Sequence, residues 1–351
     1  MNSRVALLFA ATLGLAVGSL GCSGGGDGNG TGGTGGSGGT AGTGGTGGSG
    51  GTAGTGGSEA SGWVTQTSGT TSDLYAVQFT DTNTGTAVGN GGIILRTTNG
   101  GATWEDQTSG TTNELRAVSF TDANTGTVVG ANGTILRTTN GGTSWVEQTS
   151  DVFVNLFGVS FTDANTGTAV GEAGTILRTT NGGATWAEQT SGTTSTLRGV
   201  SFTDANNETV VGADNSIILR TTNGGATWAE QTSGTTNWLF AVSMTDANTG
   251  TAVGDDGTIL RTTNGGATWV PQDSGSTRPL LGVSFTDANN GTVVGPRFGT
   301  ILRTTNGGAT WVAQDSGIIN ITLFGVSMTD ANTGTAVGEA GTILRTTGGG
   351  G

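Results

Sequence analysis

Few side chains in this 351-residue chain are able to do chemistry. It contains no histidine and no lysine, a single tyrosine, Tyr75, and a single cysteine, Cys22. Histidine is the usual general base and the commonest metal ligand, so any catalysis here must use carboxylates, hydroxyl groups or Tyr75. The formal net charge of −13 would repel nucleic acid and anionic lipid headgroups. We therefore predict that the protein is not an enzyme, needs no cofactor and binds no nucleic acid.

The N-terminus MNSRVALLFAATLGLAVGSLGC predicts a secretory signal. One positive residue, Arg4, precedes an apolar run, and small residues come before Cys22. The match to a lipoprotein signal is imperfect, because Leu20 lies two residues before the cysteine instead of three. We interpret residues 1–21 as a lipoprotein-type signal peptide and Cys22 as the lipidation site, with an ordinary cleaved signal and an incidental thiol as the alternative. The protein would then be extracytoplasmic and lipid-anchored to the bacterial cell envelope, at the outer membrane or cell surface.

Residues 22–62 contain almost only Gly, Thr, Ser and Ala. Such a segment has no apolar surface with which to offset the entropy of folding, so we predict a disordered tether. A flexible chain of this length has a root-mean-square span of roughly 35 Å, which would hold a domain clear of a membrane surface.

The rest of the chain is a repeat. Tryptophan recurs every 41 or 42 residues, at Trp63, Trp104, Trp145, Trp186, Trp228, Trp269 and Trp311. A period in the low forties is the length of a propeller blade. Within each unit we predict four short strands, which in the fifth unit are 239–246, 250–254, 258–263 and 267–273. No segment has helical periodicity, so the predicted fold class is all-β.

The first and last units are each incomplete. The last unit has three strands, and an isolated fourth strand at 63–68 precedes the first unit. Joined together, the two fragments make one blade. Residues 63–351 are therefore predicted to form a seven-bladed β-propeller whose N-terminal strand closes the last blade. Because this closure leaves no sheet edge unpaired at the seam, we expect one cooperative, monomeric domain.

The repeated segment TTNGGATW resembles the Asp-box of BNR-repeat propellers. A variant, TTNGGTSW, occurs at 138–145. Asparagine stands where the box often has Asp, at Asn99, Asn140, Asn181, Asn223, Asn264 and Asn306. The full unit, L-x-A/G-V-x-F-T-D, then G-T-A-V-G, then G-T-I-L-R-T-T-N-G-G-A-T-W, is similar to the repeat of the photosystem II stability and assembly factor family. That resemblance covers all seven units, and it implies a seven-bladed propeller that binds partner proteins.

We interpret the repeated turn as structure, because Asn and Gly adopt positive φ readily and the following Trp supplies apolar surface for packing between blades. Arginine also recurs in each unit, at Arg96, Arg137, Arg178, Arg220, Arg261, Arg303 and Arg345. Aspartate does so at Asp81, Asp122, Asp163, Asp204, Asp246, Asp287 and Asp330. An arginine ring that grips an acidic partner is one interpretation. We favour a scaffold in which each Asp accepts N–H bonds within its own turn and each Arg bonds carboxylates or carbonyls at blade interfaces.

An enzyme is an alternative, because Asp-box propellers include glycoside hydrolases and sialidases. A sialidase needs a catalytic tyrosine, a carboxylate partner and three clustered arginines, and other hydrolases need a carboxylate pair. Tyr75 lies in a first strand, and no clear carboxylate accompanies it. The other blades hold at that position Arg116, Phe157, Arg198, Phe240, Leu281 and Phe324. The acids Asp255, Asp256, Glu172 and Glu339 lack the alternation of a calcium loop, so we predict solvated turns and no metal site.

We predict the partner-binding site on the face opposite the NGG turns. Variation among blades is concentrated in the links between blades and in the second-to-third turns, which share that face. The unusual residues cluster around the last three blades, at Trp238, Asp255, Asp256, Arg278, Pro279, Arg297, Phe298, Ile318, Ile319 and Ile321. Apolar anchors flanked by charges indicate a binding patch, whereas neutral drift of exposed loops is the alternative. A smaller rival patch comprises Val152, Phe153 and Val154, with Arg116 and Arg198 near the channel mouth.

These expectations combine into one predicted function. The protein would be a non-enzymatic, surface-tethered lipoprotein propeller that binds a protein or an extracellular polymer, in assembly or as an adhesion scaffold. It would touch the membrane only through the anchor at Cys22. A passive envelope spacer with no specific ligand is the remaining alternative.

Overall fold

The computed structural model of the chain describes residues 62–297 and 299–348. They form seven four-stranded antiparallel sheets, arranged as the blades of a β-propeller, and this confirms the predicted fold class. The predicted signal peptide, Cys22 and nearly all of the tether lie outside the described residues, so those assignments and the domain boundaries that depend on them stay predictions. Phe298 also lies outside the described residues.

Strands are numbered in chain order, and the four strands of a blade run from the channel to the rim. Blade 1 consists of β2 (Leu74–Phe79), β3 (Gly85–Gly89), β4 (Ile94–Thr97) and β5 (Glu105–Gln107). Blade 2 consists of β6 (Leu115–Phe120), β7 (Gly126–Gly130), β8 (Ile135–Thr138) and β9 (Val146–Glu147). Blade 3 consists of β10 (Leu156–Phe161), β11 (Gly167–Gly171), β12 (Ile176–Thr179) and β13 (Ala187–Glu188).

Blade 4 consists of β14 (Leu197–Phe202), β15 (Glu208–Gly212), β16 (Ile218–Thr221) and β17 (Ala229–Gln231). Blade 5 consists of β18 (Leu239–Met244), β19 (Gly250–Gly254), β20 (Ile259–Thr262) and β21 (Val270–Gln272). Blade 6 consists of β22 (Gly282–Phe285), β23 (Gly291–Gly295), β24 (Thr300–Thr304) and β25 (Val312–Ala313). Blade 7 consists of β26 (Leu323–Met328), β27 (Gly334–Gly338), β28 (Ile343–Thr346) and β1 (Val64–Gln66).

Five of the second-to-third turns form a single turn of 3₁₀ helix. These are Asn90–Gly92, Ala131–Gly133, Glu172–Gly174, Asp255–Gly257 and Glu339–Gly341. Among the described residues, no helix is long enough and apolar enough to cross a membrane.

The N-terminal strand closes the ring, as predicted. β1 pairs antiparallel with β28, placing Val64 opposite Arg345 and Gln66 opposite Ile343. Trp63, just before β1, is buried in one cluster with Leu323 and other residues of blades 6 and 7. The first and last parts of the propeller therefore share one sheet and one core.

The apolar core lies between neighbouring blades. In one cluster Leu74, Val77 and Leu95 of blade 1 pack against Val337 and Ile343 of blade 7. The second strands are buried along their whole length, because each is covered on both faces by an adjacent blade. Burying one such aliphatic side chain stabilises the fold by about 1.5–3 kcal/mol, so the ring is stabilised mainly at its blade interfaces.

The NGG turns are structural, as predicted. In blade 1 the Asn99 side-chain oxygen accepts a hydrogen bond from the N–H of Thr103 at 3.0 Å, and Thr97 Oγ1 accepts one from the N–H of Gly101 at 2.9 Å. Gly101 has a φ of 84°, and a Cβ there would lie 2.0 Å from Gln66 Oε1 of blade 7. The turn therefore requires glycine both for its backbone angle and for the close approach of blade 7.

The recurring arginines join blades. Arg345 donates from Nη1 to Thr335 Oγ1 in its own blade at 2.7 Å, and from Nη2 to the carbonyl of Thr82 in the next blade at 2.6 Å. The other six arginines each bond an alanine carbonyl of the next blade. Each arginine thus bonds a carbonyl across a blade interface, as the scaffold interpretation predicts.

The recurring aspartates each organise their own turn. Asp81 Oδ1 accepts the backbone N–H groups of Asn83 and Thr84 at 2.7 and 2.9 Å. These bonds, with that from Asn83 the strongest, lower the pKa of Asp81 below its ordinary value. The same two bonds recur in the other six blades, which also agrees with the scaffold prediction.

Three strands of blade 5 are shorter than predicted: 239–246 is observed as Leu239–Met244, 258–263 as Ile259–Thr262, and the fourth strand differs most. The fourth strand of blade 5 was expected at 267–273 but spans Val270–Gln272. The Asn264 side chain bonds the N–H of Thr268, which keeps the preceding residues in the turn. Trp269 consequently lies outside the strand and donates from Nε1 to Gln231 Oε1 of blade 4 at 3.1 Å.

Candidate partner-binding face

The propeller has two unlike faces. We call the side that carries the links between blades and the second-to-third turns the link face, and the side that carries the NGG and D-A-N-T-G turns the box face. Among the described residues, the large apolar side chains that are exposed on the link face are Phe153, Trp238 and Ile319, at 89%, 46% and 74% of their surface. The other exposed ones are valines of outer strands, Val64, Val146, Val270 and Val312. Within the same described part of the chain, the box face has none.

The structure brings Trp238 and Asp255 together. The backbone N–H of Asp255 donates to the Trp238 carbonyl at 2.8 Å, so the link before blade 5 lies against the turn of that blade. Asp255 is half-buried, and Asp256 is exposed with a φ of 50°. The link that contains Arg278, which is half-buried, also contacts this turn, since the N–H of Leu280 donates to the Gly254 carbonyl at 2.8 Å.

The predicted residues of blades 6 and 7 lie in a second contact region. Arg297 is exposed, with a φ of 56°. Gly299, in the same turn, donates its N–H to the carbonyl of Ile321 at 3.2 Å, which brings this turn against the link that holds Ile319. A Cβ at Gly295 would lie 2.4 Å from the Pro279 carbonyl, so this turn also adjoins the link before blade 6. The predicted residues therefore follow one continuous sector of the link face.

The exposed anchors also extend beyond that sector. Phe153 lies in the link before blade 3, where the N–H of Gly133 donates to the Val154 carbonyl at 2.7 Å. Trp238 precedes blade 5 and Ile319 precedes blade 7, so the three anchors occupy alternate links around the channel. The rival patch and the predicted patch are thus parts of one face.

A ring of bulged residues lines the channel at this face. In six blades the pairing of the first two strands shifts by one residue just after the first leucine, as between Leu74 and Ala76. The extra residue of such a bulge is turned out of the regular alternation of the strand. These extra residues are Tyr75, Arg116, Phe157, Arg198, Phe240 and Phe324.

Contacts between neighbouring blades connect the ring residues. The Tyr75 and Phe324 rings meet edge to face with centroids 5.4 Å apart. The Arg116 guanidinium lies 4.3 Å from the centre of the Tyr75 ring, and that of Arg198 lies 4.7 Å from the centre of the Phe157 ring. The channel mouth is therefore an aromatic surface interrupted by two cations.

The two ring arginines differ in their partners. Arg116 forms an ion pair with Glu114. Arg198 has no ion pair within the described residues, and its Nε atom is buried without a hydrogen-bond partner. Burial, and then the nearby Arg116 charge, lower the pKa of Arg198, against the smaller opposing effects of Asp214 and Glu172. Arg198 is the ring cation left available to an anionic group.

Tyr75 does have acidic neighbours, which the sequence did not reveal. Glu114 approaches through its ion pair with Arg116, which stacks on the tyrosine ring. Burial raises the pKa of Tyr75 above its ordinary value, against the opposing effect of Arg116. A nucleophilic tyrosine needs the opposite shift. Within the described residues, no cluster of three acids or cysteines has the geometry of a metal site.

Two features were missed in the sequence. In six units the glutamine that follows the Trp by three residues joins blades: Gln66, for example, donates from Nε2 to the Gly100 carbonyl at 3.0 Å and accepts from Trp104 Nε1 at 3.2 Å. Its recurrence in every unit was the available signal. The second is Glu208, a fully buried acid at a position that is glycine in the six other blades.

The repeat units match a known family. The model described as photosynthesis system II assembly factor YCF48 matches residues 57–148 and 147–232, which together span half of the chain. The chain belongs to the YCF48 family. A comparison with curated proteins found no match.

Solved structures of YCF48 resemble this member of the family. YCF48 bound to D1 peptide and YCF48 from Cyanidioschyzon merolae each superpose with a TM-score of 0.69 at 21% identity, covering 81% of this chain and 94% and 98% of theirs. The GH74 enzyme of Niastella koreensis superposes with a TM-score of 0.67 at 15% identity, and 80% of this chain covers 53% of that enzyme. Similarity at these identities establishes the fold alone.

Proposed function

We propose that this protein is a non-enzymatic propeller, lipid-anchored at Cys22 outside the cytoplasm, that binds a protein partner through its link face. The observation that carries the proposal is the restriction of exposed Phe153, Trp238 and Ile319 to that face. Large apolar anchors in a polar surround are typical of protein interfaces. Family membership favours the same role, since one solved YCF48 structure holds a D1 peptide.

The channel-mouth ring gives the partner segment a chemistry. Phe157 and Phe240 flank the guanidinium of Arg198, at 4.7 and 6.0 Å from their ring centres. A side chain that is apolar suits the rings, and a carboxylate suits Arg198, which forms no ion pair among the described residues. We infer that the bound segment is a peptide with a carboxylate next to apolar side chains.

The test compares two triple variants of the full chain in co-purification from envelope extracts of the source cell. Phe153, Trp238 and Ile319 are changed to Ser in one variant. The matched control changes Val146, Val270 and Val312, which are 64%, 58% and 58% exposed on the outer strands. We expect the first variant to lose the partner and the second to keep it. Equal retention by both variants, or loss only with the outer-strand changes, would refute the link-face proposal.

Three other functions are outcomes of accompanying measurements. If the bound material were a polysaccharide and no protein, an extracellular polymer would be the partner. Turnover of a sialoside or a β-glucan by the purified chain would instead establish a hydrolase. Absence of any specific partner would support a passive spacer.

A further inference from the structure

Blade 4 differs from the other six blades at the first residue of its second strand. Their second strand begins with glycine, at Gly85, Gly126, Gly167, Gly250, Gly291 and Gly334, whereas blade 4 has Glu208. A Cβ at Gly85 would lie 2.5 Å from the Phe79 ring, and one at Gly250 would lie 2.1 Å from Met244 Sδ. The Glu208 side chain therefore occupies a position that, in blades 1 and 5, is filled by the side chain of Phe79 or Met244.

The Glu208 side chain reaches into the interface with blade 3. It is 0% exposed. Its Oε2 lies 3.2 Å from Arg178 Nη1 and accepts a hydrogen bond from Thr168 Oγ1, also at 3.2 Å. Its Oε1 is buried without a hydrogen-bond partner among the described residues. One carboxyl group is thus held between two blades with half of its bonding capacity unused.

Two contacts of the recurring arginine are longer here than in other blades, one within blade 3 and one between blades 3 and 4. Arg178 Nη1 lies 3.3 Å from Thr168 Oγ1, whereas the corresponding distance is 2.7 Å for Arg137 and Arg345. The Arg178 guanidinium lies 5.2 Å from the Phe202 ring centre, against 4.5–4.9 Å at four other interfaces. Both longer contacts involve Arg178, whose Nη1 also bonds the Glu208 carboxyl.

The charged groups around Glu208 do not compensate its burial. Desolvation raises the pKa of Glu208 to about 8, and the opposing effects of Arg178 and then Thr168 are smaller. Arg220, in the adjacent strand, is engaged with Thr209 and with the Ala247 carbonyl of blade 5. Asp204, in the preceding turn, bonds local N–H groups. Arg178 is the charged group that faces the carboxyl.

We propose that the interface between blades 3 and 4 is a pH-dependent opening point of the ring. It is closed while Glu208 is protonated, and it loosens when Glu208 loses its proton. The folded-state pKa of Glu208 lies above its unfolded value of 4.5. Its stabilising effect is therefore complete below about pH 4.5, declines as the pH rises, and is gone above about pH 8.

The same interface carries part of the channel-mouth ring. Phe157 belongs to blade 3 and Arg198 to blade 4, and their 4.7 Å contact spans the two blades. Opening at Glu208 would separate them and weaken partner binding as the pH rises. This consequence rests on the proposed function, whereas the opening itself does not.

The test uses the full chain without a partner, together with Glu208→Gln and Glu208→Gly, of which the second restores the repeat. Thermal and denaturant unfolding are measured from pH 5 to 9. We expect the unfolding constant of the wild type to rise relative to that of Glu208→Gln by up to about tenfold per pH unit between pH 5 and 8, then level off. Glu208→Gln and Glu208→Gly should keep a constant ratio. A wild-type ratio independent of pH would refute the proposal.

Hydrogen exchange locates the opening. At pH 8, strands β12 and β15 of the wild type should exchange faster than in Glu208→Gln at the same pH, while β4 and β7 exchange equally. An increase spread evenly over all blades would contradict a local opening point, even if the stability difference were present. Neither readout depends on the link face, so failure here leaves the proposed function untouched.

Discussion

Removal of β1 should open the propeller at its seam. This strand is the outer strand of blade 7, where Val64–Gln66 pairs with Ile343–Arg345. The preceding Trp63 is 7% exposed and packs in one cluster with Leu323 and Leu344. A chain that begins at Thr70 would lose the strand and the tryptophan together, and it would expose an edge of three-stranded sheet.

The loss can be compared with the stability of the whole domain. Truncation of a buried tryptophan costs about 3–5 kcal/mol. The three paired positions of β1 add about 1 kcal/mol for each backbone hydrogen bond lost. The total of roughly 5–8 kcal/mol is a large part of the 5–15 kcal/mol that typically stabilises a domain. The open edge also offers unpaired N–H and C=O groups to other chains.

The assay is thermal unfolding combined with light scattering. The matched control is a chain that begins at Gly62, which lacks the tether but keeps β1. We expect the control to be monomeric and to unfold cooperatively, and the chain from Thr70 to aggregate or unfold at a much lower temperature. A monomeric chain from Thr70 with the control's unfolding temperature would show that β1 does not close the ring.

Three further results are expected. Cys22→Ala should move the protein from the membrane fraction to the soluble extracytoplasmic fraction, and continued membrane association would exclude lipidation at this residue. Gly101→Ala should destabilise the chain more than Gly110→Ala in urea unfolding. Both positions have positive φ, at which an alanine costs about 1–2 kcal/mol. Only at Gly101 does the added Cβ also meet a side-chain atom, Gln66 Oε1, at 2.0 Å. Acidification through pH 4 should destabilise the protein, because the N–H groups of Asn83 and Asn124 hold the pKa values of Asp81 and Asp122 below 3.8. The stability that these carboxylates contribute above that pH is lost as they are protonated. Asp122→Asn should reduce this acid sensitivity in unfolding measurements from pH 2 to 6.

The repeat made most of the fold predictable. Tryptophan spacing fixed the number of blades, and the incomplete first and last units indicated that 63–68 closes the ring. The turn chemistry of Asn99 and Asp81 follows from local geometry, so it too was accessible. Each of these features depends either on residues close in sequence or on repetition of the unit. None of them requires knowledge of how neighbouring blades pack.

The channel-mouth ring was only partly accessible. The sequence aligned Tyr75 with its counterparts in other blades, but not the bulge that turns these residues toward the channel. It did not reveal that Glu114 would pair with Arg116, while Arg198 forms no ion pair among the described residues. Such pairings arise from side-chain packing between blades, and the 41- or 42-residue repeat of the sequence does not show that packing.

Function in a propeller of near-identical units must come from what distinguishes the units. Seven equivalent contacts, such as the arginine-to-carbonyl bonds, stabilise every interface alike and cannot orient a partner. The link-face anchors, the Arg198 cation and the buried Glu208 each occur at only some positions of the ring. Arg198 and Glu208 lie on neighbouring strands of blade 4, and both face blade 3. In the proposed scheme, protonation of Glu208 and carboxylate binding at Arg198 stabilise the same closed interface, and by linkage each strengthens the other.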